Sequence, residues 1–135
     1  MVGILIISHG AFGEALIQSA SHMLGRPPEG VLALKVTSQD DPDTLLAQAR
    51  DLVRQLDRGA GVLVLADIFG ATPGNITTRL LAAGKVEGVS GASLPMLVRA
   101  LTYRERPIEM VVEKAISGGC EGVVHMNTDC CHGPG

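Results

Sequence analysis

Three short apolar runs constrain the fold of this chain: Val2 to Ser8 (VGILIIS), Val31 to Val36 (VLALKV) and Gly61 to Ala66 (GVLVLA). None shows the strict apolar and polar alternation of a strand with one wet face. The runs Val2 to Ser8 and Gly61 to Ala66 read as strands buried on both faces, with Val31 to Val36 a further apolar run between them, and their natural host is a parallel sheet covered by helices on both sides. The intervening segments supply the helices. From Gly13 to Leu24, residues Ala15, Leu16, Ser19, Ala20, Met23 and Leu24 recur at helical spacing until Gly25, Pro27 and Pro28 stop the pattern. Thr37 to Asp41 then lead into Pro42 as a helix cap with proline at the first helical position. That second helix runs to about Arg58, with Leu45, Leu46, Ala49, Leu52, Val53 and Leu56 on one stripe.

The alternation continues. Asp67 to Gly74 (DIFGATPG) is a turn-rich connection into a helix spanning Asn75 to Ala83, and Val86 to Ala92 is a weaker strand. Leu94 to Tyr103 reads as a helix with Pro95 in its first turn. Pro107 opens another helix, which carries Ile108, Val111, Val112, Ala115 and Ile116 and ends at Gly118 and Gly119. Glu121 to Met126 (EGVVHM) is expected to form a short last strand. No repeat, low-complexity stretch or linker interrupts the series. Residues 1–135 are therefore expected to form one α/β domain with a doubly wound, mostly parallel sheet and helices on both faces.

Composition narrows the function. Eleven Lys plus Arg stand against 14 Asp plus Glu, with the basic residues scattered, so a nucleic-acid surface is poorly supported. Only Phe12, Phe69 and Tyr103 are aromatic, which leaves few platforms for stacking bases or sugars. No apolar run approaches the roughly 18 residues of a membrane span. Cys120, Cys130 and Cys131 are odd in number and do not read as a disulfide framework, and no leader pattern precedes Val2, so a reducing cytoplasm is expected.

In such a fold, ligand groups collect beyond the carboxyl ends of the strands. Two polar residues stand there. His9 follows the first strand, precedes Gly10 and lies just ahead of a helix whose free amides can receive an anion such as a phosphoryl group. Taken alone it reads more readily as a helix cap or a loop residue. Asp67 occupies the same place after the third strand; if the two strands are neighbours, its carboxylate can fix one ring nitrogen of His9 and leave the other free as a nucleophile. Taken alone, Asp67 is as readily a cap or turn residue. The bend Phe69, Gly70, Ala71, Thr72, Pro73, Gly74 offers a hydroxyl and exposed amides for phosphate oxygens, although any tight turn uses such residues.

The combination of SHG after the first strand, LADIFGATPGN after the third and GASLPML after the fourth resembles enzyme IIA of the mannose type, from the bacterial phosphoenolpyruvate-dependent phosphotransferase system. The resemblance covers nearly the whole chain, in order. It implies a small α/β domain in which His9 accepts a phosphoryl group from the phosphocarrier HPr and passes it to a IIB component or uses it for regulation. It also implies that Asp67 is the hydrogen-bonding partner of His9, that Gly10, Gly70, Ala71 and Thr72 lie around the phosphate, and that no metal or other cofactor is needed. A homodimer is implied in which the last strand, antiparallel, joins the partner's sheet, with any membrane contact made only through a transporter. Two positions depart from the pattern: Gly70-Ala71 replaces a pair of glycines, and Ser93 stands where Asn is expected.

Other readings compete. A histidine phosphatase wants Arg before the histidine, where Ser8 stands, and a chelatase wants further ligands facing His9, for which only His125 offers itself. A phosphotransfer subunit of a dihydroxyacetone kinase shares the resemblance, and a pure binding domain is a further class. His125, Cys130, Cys131 and His132 are all metal-ligand types, but their spacing fits no zinc pattern and a frayed tail is the simpler reading. Asp40, Asp41 and Asp43 suit the start of a helix better than a cation site. Met96, Met110 and Met126 read as core fillers, and His22 as solvated.

Overall fold

The computed structural model describes residues 1–127. The elements alternate as β1 (Gly3–His9), α1 (Phe12–Leu24), β2 (Val31–Val36), α2 (Pro42–Leu56), β3 (Val62–Ala66), α3 (Thr72–Leu80), β4 (Val86–Ser90), α4 (Leu94–Tyr103) and α5 (Ile108–Glu121). The four strands form one parallel sheet in the order β2-β1-β3-β4. β1 is central and aligned with both neighbours, Ile6 lying opposite Ala33 on one side and Leu65 on the other.

The two-residue period of the strands divides the core in two. Val2, Ile4 and Ile6 face one way with Leu63 and Leu65, packing against Leu16 and Ala20 of α1, Met96, Leu97 and Ala100 of α4, and Val111 and Ala115 of α5. Leu5 and Ile7 face the other way with Val62 and Val64, packing against Leu45, Leu46, Ala49 and Leu56 of α2 and Ile76 and Leu80 of α3. Both faces are covered, as the unbroken apolar runs require. The described residues contain no helix long and apolar enough to cross a membrane.

Element boundaries moved where glycine and proline serve packing. The stop expected at Gly118 and Gly119 is absent, and α5 continues to Glu121. These glycines let α5 lie directly on α4: a Cβ at Gly118 would stand 2.8 Å from Arg99 Cβ, one at Gly119 2.8 Å from Met96 Cε, and one at Gly122 2.6 Å from the Pro95 ring. Glu121 is thus helical, and residues 122–127 form no strand within the described chain, so the expected last strand at Glu121 to Met126 is not observed. α3 begins at Thr72 rather than Asn75, because Pro73 fits a first helical turn, and it ends at Leu80, ahead of an Ala82–Val86 bridge. On α1 only Gly13, Leu16 and Ala20 are buried; Ala15, Ser19, Met23 and Leu24 face solvent, so the apolar stripe is narrower than the spacing suggested. Of the three methionines expected in the core, Met96 is buried, whereas Met110 and Met126 are exposed because their positions on and beyond α5 face away from α4 and the sheet.

One core contact has no sequence signal. Arg104 is buried after α4 and donates to three backbone carbonyls: Val2 through Nε and Nη2, Gly30 through Nη2 at 2.8 Å, and Glu29 through Nη1. The Val2 N–H in turn donates to the Arg104 carbonyl at 2.8 Å. The guanidinium therefore ties the start of β1 to the start of β2, at the end of the sheet opposite His9. Burial draws its pKa downward.

Candidate functional site

The chain leaves β1 toward β2 on one side and returns through β3 on the other, so the gap beyond the carboxyl ends of β1 and β3 is the topological switch point of the sheet. The last pair joining the two strands is Ile7 opposite Ala66. His9 and Asp67 follow almost at once and meet across this gap. Asp67 Oδ2 accepts the His9 backbone N–H at 2.9 Å and lies 2.8 Å from His9 Nδ1. Its other oxygen, Oδ1, accepts the Ile68 N–H at 2.9 Å. An ionised carboxylate can only accept, so Nδ1 carries the proton and Nε2 presents its lone pair.

Exposure differs across the pair, with the His9 side chain 55% accessible and that of Asp67 15%. Burial alone would raise the Asp67 carboxyl above its ordinary value. The His9 backbone and side-chain hydrogen bonds, the charge of His9 and the Ile68 N–H together outweigh that effect and hold it lower. Asp67 is thus a partly buried anion aimed at one nitrogen of a half-exposed imidazole.

The remaining expected site residues surround this pair in distinct ways. Gly10 has φ +54° and its N–H donates to the Val36 carbonyl at 3.0 Å, so that amide is already engaged and the residue serves to turn the backbone after His9. Gly70 sits exposed in the bend with φ +88°. Ala71 is the N-cap of α3 and its carbonyl accepts the Asn75 N–H at 2.9 Å. Thr72, exposed in the first turn of α3, has a hydroxyl with no hydrogen bond among the described residues. Phe12, the first residue of α1, and Ile68 and Phe69, between β3 and α3, are exposed, and Phe69 is 80% accessible.

Two contacts escaped the sequence reading. Ser8 is buried, and its Oγ accepts the Gly13 N–H at 2.9 Å, supplying α1 with the cap that Ala11 cannot. Ser93, a departure from the resemblance, accepts the Met96 N–H at 3.3 Å and caps α4, a task that serine and asparagine share. The acidic run before α2 is likewise structural: Asp41 accepts the Thr44 N–H at 3.0 Å, and Asp40 accepts from Thr37. His22 is exposed on α1. His125 follows α5, while Cys130, Cys131 and His132 lie outside the described residues. Among the described residues no three His, Cys, Asp or Glu side chains converge as a metal-ligand set, and His9 and Asp67 have no third ligand of that kind beside them.

Comparison with known proteins identifies the family and the fold. Residues 3–116 match the family described as PTS system fructose IIA component (EIIA-man). The chain is 30% identical over 125 residues to the PTS system mannose-specific EIIAB component of Escherichia coli, covering 90% of this chain but only 38% of the length of that relative. It is 28% identical over 106 residues to the PTS system fructose-specific EIIA component of Bacillus subtilis, covering 78% and 72% of the two chains. Its structure superposes on the phosphotransferase system component EIIA from Streptococcus agalactiae with a TM-score of 0.83 at 26% identity, over 94% of this chain and 98% of that one. The mannose/sorbose-specific IIA subunit from Enterococcus faecalis shares the fold, with a TM-score of 0.80 at 20% identity over 91% and 92% of the chains. With a matched segment that runs from the first residue of β1 into α5, this chain belongs to the mannose/fructose-type enzyme IIA family of the phosphotransferase system.

Proposed function

We propose that the chain is a phosphocarrier in which His9 takes a phosphoryl group from phospho-HPr on Nε2 and passes it to a IIB component. The observation that carries this reading is the 2.8 Å contact between His9 Nδ1 and Asp67 Oδ2, which commits one ring nitrogen and leaves the other unengaged on a half-exposed side chain. In the step itself, the Nε2 lone pair attacks phosphorus, the P–N bond of the donor phosphohistidine breaks, and its electron pair leaves with the donor nitrogen. The Nδ1 proton stays between the ring and Asp67, whose negative charge balances the positive charge developing on the imidazole. Transfer between two histidine nitrogens is near balance, so the reaction runs in both directions. The loose transition state asks the protein mainly for position and electrostatic support.

The first turn of α1, the hydroxyl of Thr72 and the bend at Gly70 and Ala71 are the groups proposed to meet the phosphoryl oxygens. Phe12, Ile68 and Phe69, exposed just after the two strand ends, would serve as an apolar collar for a protein donor rather than a small substrate. Dimerisation belongs to the same proposal: β4 is an outer strand whose edge beyond the Ala82–Val86 bridge pairs with no further strand among the described residues, and Val123, Val124 and Met126 expose apolar side chains just beyond α5. Strand exchange between two copies would cover both. The test is intact mass after incubation with phosphoenolpyruvate, enzyme I and HPr. One acid-labile phosphate on the native protein and none on His9→Ala is expected; an unmodified native protein beside active upstream components would overturn the reading.

A further inference from the structure

We propose that Ser8 is a positioning residue for phosphoryl transfer at His9, acting by holding the first turn of α1 in register with the imidazole; this rests on the phosphocarrier reading above. Ser8 lies on the α1 side of β1 with Ile4 and Ile6 and is almost completely buried. A buried hydroxyl on a central strand needs a partner, and it has one: Oγ accepts the Gly13 N–H at 2.9 Å. That bond reaches over four residues, His9, Gly10, Ala11 and Phe12, and closes them into a short loop. It is possible only because α1 lies unusually close to the sheet, where a Cβ on Gly13 would stand 3.0 Å from Ile6 Cγ2, 3.1 Å from Ser8 Oγ and 3.3 Å from Ala33 Cβ.

The amides of the loop are then divided. The N–H of His9 goes to Asp67, that of Gly10 to Val36, that of Gly13 to Ser8 and that of Ala15 to Ala11. Those of Ala11, Phe12 and Glu14 make no hydrogen bond of good geometry among the described residues. Ser8 thereby fixes, from inside the core, which donors remain beside Nε2 and where they point. His9 is held from one side by Asp67 and, through the closed loop, from the other by Ser8.

Substitution separates this role from simple capping. In single-turnover transfer from phospho-HPr, Ser8→Ala should react about tenfold more slowly at saturation while KM stays within about twofold, because binding is untouched and alignment is lost. Ser8→Thr keeps the hydroxyl and should return to within about threefold of the native rate. A Ser8→Ala protein that melts earlier yet transfers at the native rate would overturn the proposal and leave Ser8 a structural cap. The native protein supplies a second test that needs no folded variant. By amide hydrogen exchange, Gly13 should be protected with or without the phosphoryl group, whereas Ala11 and Phe12 should gain protection only on phosphorylation. A Gly13 amide that exchanges as fast as Ala11 in the unphosphorylated protein would overturn it. Failure of the native protein to take up phosphate would overturn the phosphocarrier reading and this one together, an outcome distinct from native-rate transfer by Ser8→Ala.

Discussion

A single oxygen of Asp67, Oδ2, holds His9 twice, at the backbone N–H (2.9 Å) and at ring Nδ1 (2.8 Å). The strand end and the imidazole are thus oriented by the same carboxylate, and charge and position cannot be removed separately by truncation. Asp67→Asn keeps the size and one acceptor but loses the charge and admits the wrong tautomer. It should slow phosphoryl transfer by about 100-fold, read in single turnover from phospho-HPr, while the protein remains folded by circular dichroism.

The same pair sets an acid limb in stability. The Asp67 carboxyl lies below its ordinary value of 3.8 in the folded chain, so the folded state favours the ionised form more than the unfolded chain does. Its contribution is complete above pH 3.8 and is lost as pH falls from there through the folded value. Thermal midpoints of native protein and Asp67→Asn should therefore differ most above this range and converge below it. A gap that stays constant down to pH 2 would contradict the linkage.

Phe69 tests the apolar collar. It is 80% accessible and packs little of itself into the fold, so Phe69→Ala should change stability by no more than about 0.5 kcal/mol. Loss of an aromatic anchor at a docking surface should raise KM for phospho-HPr by about fivefold or more, at unchanged maximal rate.

Arg104 gives the opposite result. Its guanidinium satisfies the carbonyls of Val2, Glu29 and Gly30 inside the fold. Arg104→Met fills similar space but leaves these acceptors unpaired, which should cost about 2–4 kcal/mol in urea unfolding. Transfer by the molecules that remain folded should be unchanged, because the clamp lies at the far end of the sheet from His9.

Gly118 tests why α5 outruns its glycines. Gly118→Ala would place a Cβ 2.8 Å from Arg99 Cβ and 3.0 Å from the Pro95 carbonyl. It should destabilise the protein by about 1–3 kcal/mol, although alanine is the better helix former at an exposed site. A stabilised variant would show that the glycine is tolerated rather than required.

What the sequence determined by itself is whatever depends on local pattern. The runs VGILIIS and GVLVLA read as strands buried on both faces because burial leaves no polar alternation to see, whereas VLALKV reads only as an apolar strand and proves to be a partly exposed outer one. Leu94–Tyr103 and Val31–Val36 were legible to the residue, Pro95 marking the first turn of the one and turn residues the end of the other. The strand ends also placed His9 and Asp67 beyond the sheet, and the motifs around them carried the family resemblance. Tertiary structure decided the rest. Gly118 and Gly119 look like a stop until α4 lies against them, because nothing in a glycine distinguishes a helix end from a close crossing. Ser8 reads as the last residue of a strand until α1 packs near enough for its hydroxyl to reach Gly13. Arg104 is one more basic residue until three carbonyls, from positions about 75 to 100 residues earlier in the chain, converge on it. Even the contact between His9 and Asp67 required β1 and β3 to be neighbours, a matter of strand order that follows from how the helices pack on the sheet and not from any local run of residues.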